Sequence, residues 1–322
     1  SKYLIMRILI TGAAGFIGYH LSISLLKNGF RVAGIDNFSD YYDINLKKDR
    51  LKLLEAYDKF HFYTLDIVNY ESLSKIFKTF QPQKVVNLAA QPGVRYSFNY
   101  PRSYVDTNLV GFLNMIELSH QNNVDGFIYA SSSTVYSNKS TIPFRIKEKT
   151  KKPSSLYGIT KLGNELIAYR YSNLYNLHTT GLRYFTVYGP WNRPDMAISI
   201  FIKKIISQKT ITVFNQGKMK RDFTYIDDII IGTRSAIEKN YINEIFNLGT
   251  NKSEEIMDLI SLLEEKIGEK AIIAYEPAHN SELLETCADI SHSKAKIGFN
   301  PQVSLKMGIH KTVNWFKDYY NV

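Results

Sequence analysis

The chain has 322 residues, with 40 Lys and Arg against 30 Asp and Glu, a formal net charge of +10 and one cysteine. This length suffices for one large domain or two ordinary ones with a sizeable core. The single Cys287 excludes a disulfide framework and a cysteine-based metal cluster, so we expect a cytoplasmic protein without a metal site. Because the basic residues are spread along the chain, we expect no nucleic-acid partner. Three glycines, two serines and His20 interrupt the longest uncharged run, residues 8–26, so we expect no membrane insertion.

A glycine turn between a short strand and a helix is the first motif. Residues 1–5 precede an apolar strand over 7–10, and the segment TGAAGFIG follows that strand directly and opens a helix. Gly12 permits the tight turn, Gly15 lets the backbone approach a pyrophosphate, and Gly18 allows the helix to pack closely on the strand.

The second and third predicted strands both end in an acid. Asp36 follows the strand 31–35, at about the spacing from the glycine turn at which an acid accepts hydrogen bonds from an adenosine ribose. An acid there repels the 2′-phosphate of NADP, so the sequence favours NAD. Asp66 and Ile67 follow the strand 61–65, and we expect them near the adenine edge.

Two further strands carry small or hydroxyl residues at their ends. Residues 85–88 are predicted to form a strand, which two alanines and then the polar loop 91–95 follow. The strand 126–130 opens into the hydroxyl run SSST within residues 131–136. The alternation of strands and helices up to Leu182 predicts an α/β fold with a Rossmann-type doubly wound parallel sheet, which binds ligands at the carboxyl ends of its strands.

Tyr157 and Lys161 are four residues apart in a helix predicted over 154–175, so their side chains share one face. An ammonium beside a phenol favours the phenolate, and the pair can therefore supply a base near neutral pH. Such a base, together with a serine that binds a sugar hydroxyl, is the combination that hydride removal from an alcohol requires.

Beyond Leu182 the regular alternation of strands and helices ends. A strand from Arg183 leads into a rigid aromatic loop up to Pro194, and a helix over 197–207 and a charged turn over 220–228 come next. We predict that residues 1–182 form the cofactor-binding domain and residues 183–322 a smaller α/β substrate lobe. A segment near 224–265, with the strand 246–249 and the helix after Ser253, is expected to return to the first domain.

These motifs together resemble the extended short-chain dehydrogenase/reductase family over nearly the whole chain. The segments 89–97, 183–196 and 221–228 resemble the UDP-glucuronate 4-epimerases within it. The resemblance implies that NAD stays bound, that Tyr157 takes the proton of the sugar 4-hydroxyl while hydride leaves C4, and that hydride returns to the other face of a 4-keto sugar. Lys161 would hold the nicotinamide ribose and keep Tyr157 ionised, and Ser132 would be the catalytic serine.

The resemblance also implies the binding residues. The cofactor would be held by Gly12, Gly15, Phe16, Ile17, Gly18, Asp36, Asn37, Asp66, Ile67, Leu88, Ala89, Ala90, Asn108, Tyr157, Lys161 and Tyr184. The UDP-sugar would be held by Gln91, Arg95, Ser133, Thr134, Thr186, Arg193, Arg221, His279 and Thr286. A homodimer would pack through the helices over 108–122 and 154–175.

Several of these residues have specific expected roles. Oxidation at C4 places a ketone β to the C6 carboxylate and permits decarboxylation, so Arg193 and Thr186 would hold that carboxylate still. Arg221 would bind the diphosphate, with Arg95 as a second candidate for diphosphate or carboxylate. A small residue at Thr286 would tolerate an N-acetyl group at C2. Asn108 would contact Lys161 or the cofactor.

Related reactions remain as alternatives. Neither Ser133 nor Thr134 is acidic, which disfavours the 4,6-dehydratases and the UDP-xylose-forming decarboxylases, because both carry acids near these positions. His279, with Ser281 and Glu282, departs from the family pattern at the uridine diphosphate end. The substrate alternatives are a UDP-N-acetylhexosamine, its uronic acid and UDP-glucose, and a decarboxylase or a catalytically silent NAD-binding protein ranks lower.

Overall fold

The computed structural model describes residues 5–148 and 152–322; residues 1–4, in the stretch before the first strand, lie outside it. A seven-stranded parallel sheet forms the centre, in the order β11-β6-β5-β4-β1-β2-β3. Its strands are β1 (Arg7–Thr11), β2 (Arg31–Asp36), β3 (Phe60–Thr64), β4 (Lys84–Asn87), β5 (Gly126–Ser132), β6 (Thr179–Tyr184) and β11 (Asn243–Leu248). The strand order reverses between β1 and β4, where such sheets bind ligands.

Helices cover both faces of the sheet, because side chains along each buried strand alternate between two apolar clusters. Ile8 and Ile10 of β1 belong to one cluster, and Leu9 belongs to the other. The α-helices up to Tyr175 are α1 (Phe16–Lys27), α2 (Ile44–Leu54), α3 (Tyr70–Phe80), α4 (Tyr96–Asn99), α5 (Pro101–Val105), α6 (Phe112–Gln121) and α7 (Leu156–Tyr175). The doubly wound fold predicted from the sequence is therefore confirmed.

The helix predicted over residues 108–122 has a different start and an irregular first part in the structure. Helical backbone begins earlier, at Pro101, and passes through a π-helical segment, Asp106–Gly111, before α6. Proline is favoured in the first turn of a helix because its missing N–H has no helical partner there. This change of pitch lies where Asn108 faces α7.

A smaller lobe contains three short strand pairs and the helices that follow them. The pairs are β7 (Thr186–Tyr188) with β10 (Phe223–Tyr225), β8 (Thr210–Phe214) with β13 (Ile272–Glu276), and β9 (Lys220–Arg221) with β12 (Glu254–Glu255). The helices of this lobe are α8 (Ala197–Ile206), α10 (Ile256–Ile267) and α12 (Leu305–Tyr320), whereas α9 (Ile226–Lys239) and α11 (Ser291–Ile297) pack against the large sheet.

The segment near 224–265 is divided between the two parts of the fold. Strand β11 joins the large sheet beside β6, and α9 packs against α1. Helix α10, by contrast, packs against α8 and α12 in the smaller lobe. The division into a cofactor domain and a substrate lobe stays a prediction. No helix in the described ranges is long and apolar enough to cross a membrane.

Candidate active site

A cavity of about 460 Å³ opens at the carboxyl ends of β1, β4, β5 and β6. It brings together all but one of the residues predicted to hold the cofactor, from Gly12 to Tyr184. It also brings in several of the predicted catalytic and substrate residues, which are Gln91, Ser132, Ser133, Thr134, Thr186 and Arg193. Residues far apart in the sequence thus meet at the ligand-binding edge of the sheet.

The glycine turn packs against β4 as a dinucleotide site requires. Gly12 has a φ of +69°, and a Cβ there would lie 2.9 Å from the backbone nitrogen of Ala89. A Cβ at Gly18 would lie 2.0 Å from the carbonyl oxygen of Gly12. No side chain is tolerated at either position, so the backbone amides at the start of α1 stay open to an anion.

Asp36 is held in position by two backbone amides. Ala14 of the glycine turn donates to Oδ2 at 3.0 Å, and Phe38 donates to Oδ1 at 2.9 Å. The carboxylate is almost fully buried yet lines the cavity. It can accept further hydrogen bonds from a ribose diol, because each carboxylate oxygen has two lone pairs. The residues present therefore fit NAD.

Tyr157 and Lys161 face the cavity from α7. The Ser155 hydroxyl caps this helix by accepting from Gly158 N at 3.0 Å. Lys161 Nζ donates to the Ala130 carbonyl at 3.0 Å and lies 5.7 Å from the centre of the Tyr157 ring. Burial lowers the pKa of Lys161 to about 8.

The protein groups alone do not give Tyr157 the lowered pKa that its pairing with Lys161 predicts. Burial raises the pKa of Tyr157, and the charge of Arg193 and the Ser132 hydroxyl offset only part of that rise. Desolvation disfavours the phenolate, and the sequence contains no direct sign of this effect. The hydroxyl of Ser132 itself accepts a hydrogen bond from Thr134 Oγ1 at 2.8 Å.

Arg193 is paired with an acid that the sequence analysis did not single out. Its Nε lies 3.0 Å from Oδ1 of Asp195 and its Nη2 lies 2.6 Å from Oδ2. Burial alone would raise the pKa of Asp195, but the guanidinium holds it below its usual value. Thr186 lies nearby, where this cavity meets a second one.

The second cavity, of about 550 Å³, lies in the smaller lobe and contains Arg95 and Arg221. Arg221 Nη1 donates to the Lys220 carbonyl at 2.8 Å, and burial lowers its pKa. Within the described ranges, no carboxylate lies within 4.0 Å of its guanidinium. Arg95 is bound to Glu282 at 2.7 Å and lies 3.9 Å above the Phe214 ring. Arg221 is therefore the cation more available to an anionic ligand.

The structure does not bring three predicted binding residues to the wall of either cavity. Asn108 lies behind the wall, where its side chain hydrogen-bonds both backbone groups of Gln91 and the Thr160 hydroxyl and makes no hydrogen bond to Lys161. Thr286 is buried, and its hydroxyl accepts a hydrogen bond from Asp222 N at 3.0 Å. His279 is exposed and stacks on Phe98 with the ring centres 4.8 Å apart.

Several cavity residues are absent from the sequence-based set. Lys47 of α2 is almost fully buried, and its Nζ donates to the Ser39 carbonyl at 2.7 Å. A lysine on the apolar face of a helix is a signal that could have identified it, because such a residue is seldom buried without a polar partner. Others that line the first cavity include Ser39, Tyr41, Tyr42, Asn192 and Met196.

Residues 8–249 match the model of the NAD dependent epimerase/dehydratase family. The chain belongs to this family. Membership confirms the resemblance seen in the glycine turn and the Tyr157–Lys161 pair. It also confirms the predictions that the protein is an enzyme of this family and that its cofactor is NAD.

Individual proteins are similar to this chain over nearly its whole length. Protein CapI of Staphylococcus aureus is 43% identical over 333 residues, covering 98% of this chain and 99% of its own length. A UDP-glucuronate 4-epimerase of Thermodesulfobacterium geofontis is 44% identical over 311 residues and covers 96% of each chain. The crystal structure of a UDP-glucuronic acid 4-epimerase from Bacillus cereus, in complex with UDP-glucuronic acid and NAD, superposes with a TM-score of 0.93. It has 39% sequence identity and covers 98% of this chain and 100% of that one.

Proposed function

We propose that the chain catalyses the NAD-dependent 4-epimerisation of UDP-glucuronate to UDP-galacturonate. The observation that carries this proposal is the position of Arg193, which lines the first cavity next to Asn192, a residue of both cavities. Arg193 is also near enough to Tyr157 for its charge to offset part of the rise in the phenol pKa. A carboxylate-binding guanidinium thus lies beside a proton-transferring phenol. The similar epimerases from Thermodesulfobacterium geofontis and Bacillus cereus support the same substrate.

The first cavity would hold the cofactor through the glycine turn, Asp36 and Lys161. When bound, NAD accepts a hydride from a sugar carbon and returns it. The second cavity would take the nucleotide, with Arg221 on its diphosphate, so that the hexose lies at the junction beside Thr186. This arrangement fits a nucleotide sugar because two cavities of similar size adjoin and share lining residues that include Thr186 and Asn192.

Tyr157 would remove the proton of the sugar 4-hydroxyl as hydride leaves C4, and would return it to the 4-keto sugar after the sugar has turned. Ser132 would hold the oxygen at C4. Because burial raises the pKa of Tyr157, the phenolate depends on the positive charges around it, which include Lys161 and Arg193. Lys161 would also keep the ribose hydroxyls of the cofactor in place.

The oxidised substrate is prone to lose carbon dioxide, since its ketone lies β to the carboxylate. Arg193 would prevent this by holding the carboxylate out of the orientation that cleavage needs. The Asp195 partner keeps the guanidinium in one orientation before substrate arrives. Ser133 and Thr134 supply hydroxyls and no acid at the hexose, which supports epimerisation over elimination.

The test is incubation of the purified protein with UDP-glucuronate, followed by proton NMR of the sugar. We expect UDP-galacturonate to accumulate to an equilibrium mixture without net formation of reduced nicotinamide. Turnover of a different UDP-sugar alone would refute the substrate assignment, and carbon dioxide as the main product would indicate a decarboxylase. A Tyr157→Phe variant that binds NAD normally should lose at least about a hundredfold in rate.

A second candidate substrate is a neutral UDP-hexose or UDP-N-acetylhexosamine. The observation that favours it is the Arg193–Asp195 pair, whose charges cancel, so the site does not demand a substrate carboxylate. The same NMR experiment with UDP-glucose and UDP-N-acetylglucosamine compares the candidates directly. The substrate with the higher kcat/KM is the preferred one.

We also propose a homodimer that packs through α6 and α7. Apolar side chains on these helices are exposed, including Leu113 at 40%, Ile159 at 52% and Leu166 at 63%. A patch of this kind on two adjacent helices is typical of an association surface. Light scattering after size exclusion should give twice the chain mass, and Leu166→Asp should shift it toward the monomer. A wild-type monomer at micromolar concentration would refute the proposal.

A further inference from the structure

Arg50 of α2 is a fully buried arginine that joins two parts of the active site. Its Nη1 donates to the Ala14 carbonyl at 2.9 Å and to the Tyr42 hydroxyl at 2.7 Å. Its Nη2 donates to the Trp191 carbonyl. Ala14 belongs to the glycine turn, and Trp191 is two residues before Arg193. One guanidinium thus bridges the cofactor turn and the loop that carries the proposed carboxylate-binding residue.

The charge of Arg50 has no acid partner. Within residues 5–148 and 152–322, no carboxylate lies within 4.0 Å of its guanidinium, and its Nε makes no hydrogen bond. A buried cation is costly unless an opposite charge or full hydrogen bonding compensates it. The glycine turn that it contacts is the place where the family binds the pyrophosphate of NAD, which carries the missing negative charge.

The loop of residues 189–193 needs external support because its backbone is strained. Trp191 has a φ of +67°, in the left-handed region that a bulky residue seldom adopts. Such a conformation persists only where surrounding contacts impose it. Apart from Arg50, these contacts include a hydrogen bond between His20 Nε2 and the Pro190 carbonyl at 2.8 Å. The Trp191 ring also packs on three aromatic rings, with ring centres 5.1–5.6 Å apart, which belong to Tyr19, Trp315 and Tyr319.

His20 and Arg50 both reach this loop from the cofactor side of the molecule. Burial lowers the pKa of His20 to about 4, so the neutral ring donates to Pro190 through Nε2 near neutral pH. His20 lies on α1, which begins at the glycine turn, and Arg50 touches that turn directly. Two polar side chains therefore transmit the position of the cofactor turn to the loop that carries Arg193.

We propose that Arg50 is a positioning residue that couples NAD binding to the order of the loop 189–193. An anion at the glycine turn compensates the guanidinium charge and favours the state in which Arg50 holds both carbonyls. The loop then keeps Arg193 in the wall of the first cavity, next to Asn192, which lines both cavities. Because coupling between two sites is reciprocal, a ligand bound at Arg193 also strengthens the retention of NAD. The inference rests on the proposed function for the identity of that second ligand.

Amide hydrogen exchange of the peptide over 189–196 tests the coupling with NAD alone. In the wild-type protein, NAD should slow exchange in this peptide. Arg50→Met should abolish this slowing and weaken NAD binding by about tenfold or more. Lys52→Met, an exposed position on the same helix, is the matched control and should behave as the wild type. An Arg50→Met protein with wild-type NAD affinity and wild-type protection would overturn the proposal.

Arg50→Lys keeps the positive charge but removes the bridge between the two carbonyls. It tests the proposal even if the Arg50→Met variant does not fold. An ammonium retains the charge but lacks the planar fork that reaches two carbonyls at once. We expect NAD affinity within about threefold of the wild type but loss of the protection over 189–196. Full protection in this variant would refute the bridging role. These measurements use no sugar, so a protein inactive on UDP-glucuronate with the expected exchange pattern would refute only the proposed function.

Discussion

Arg193 and Asp195 form a bidentate ion pair that uses one edge of the guanidinium, through Nε and Nη2. Among the described residues, the remaining nitrogen, Nη1, makes no hydrogen bond. A second carboxylate can therefore approach the Nη1–Nη2 edge while Asp195 stays in place. Arg193 can be both oriented by the protein and available to the substrate.

Asp195→Asn should shift substrate preference toward the acid sugar. The change removes a negative charge close to the expected position of the substrate carboxylate, an effect of about 1 kcal/mol for two unit charges about 4 Å apart at the dielectric constant of water. We expect the KM for UDP-glucuronate to fall about fivefold relative to that for UDP-glucose. Steady-state kinetics with both sugars measure this ratio, and Asp258→Asn at an exposed site is the control. An unchanged ratio of the two KM values would show that the Asp195 charge does not affect the choice of substrate.

Arg193→Gln should release the carboxylate during the reaction. We expect KM for UDP-glucuronate to rise at least about tenfold and the carbon dioxide released per epimerisation to increase, because a charge-assisted contact is lost. The single change also leaves the partly buried Asp195 without its partner, so the double variant with Asp195→Asn is the control for misfolding. If neither variant releases more carbon dioxide than the wild type, Arg193 does not restrain the carboxylate.

Lys161→Met should stabilise the protein near neutral pH while abolishing catalysis. Burial lowers the Lys161 pKa from 10.5 to about 8, so the unfolded chain binds a proton more tightly than the folded one. The resulting cost, about 3 kcal/mol, is fully present below pH 8 and disappears as pH rises to about 10.5. Denaturant unfolding of both proteins at equal NAD occupancy should show the variant more stable at pH 7, with the difference vanishing near pH 10.5. A constant difference across this window would rule out the titration of Lys161 as its cause.

Glu165→Gln should be strongly destabilising. Glu165 lies one turn after Lys161 on α7, and its carboxylate binds Arg183 at 2.7 and 2.8 Å and the Ser131 hydroxyl at 2.6 Å, all buried. Loss of one partner leaves the Arg183 charge uncompensated, at a cost of about 3 kcal/mol in the free energy of unfolding. In the exposed Lys306–Glu265 pair, Glu265→Gln should change that energy by less than about 1 kcal/mol. Equal effects at the two pairs would contradict this view.

Much of the cofactor site could be predicted from the sequence because its signals are local. The glycine spacing, the acid after the second strand and the four-residue interval between Tyr157 and Lys161 each reflect the geometry of a single turn or helix. Parallel strands place their carboxyl ends at one edge, so the local motifs meet once the alternation of strands and helices is recognised.

Only the tertiary structure decided which charges face each other and which are desolvated. Asp195 occupies one edge of Arg193, Lys47 and Arg50 turn inward from α2, and Thr286 lies behind the cavity wall. Burial also raises the pKa of Tyr157, whereas its four-residue spacing from Lys161 had predicted a lowered pKa. Residue types and intervals determined the chemistry of the motifs, whereas desolvation and long-range pairing depend on neighbours that the sequence leaves far apart.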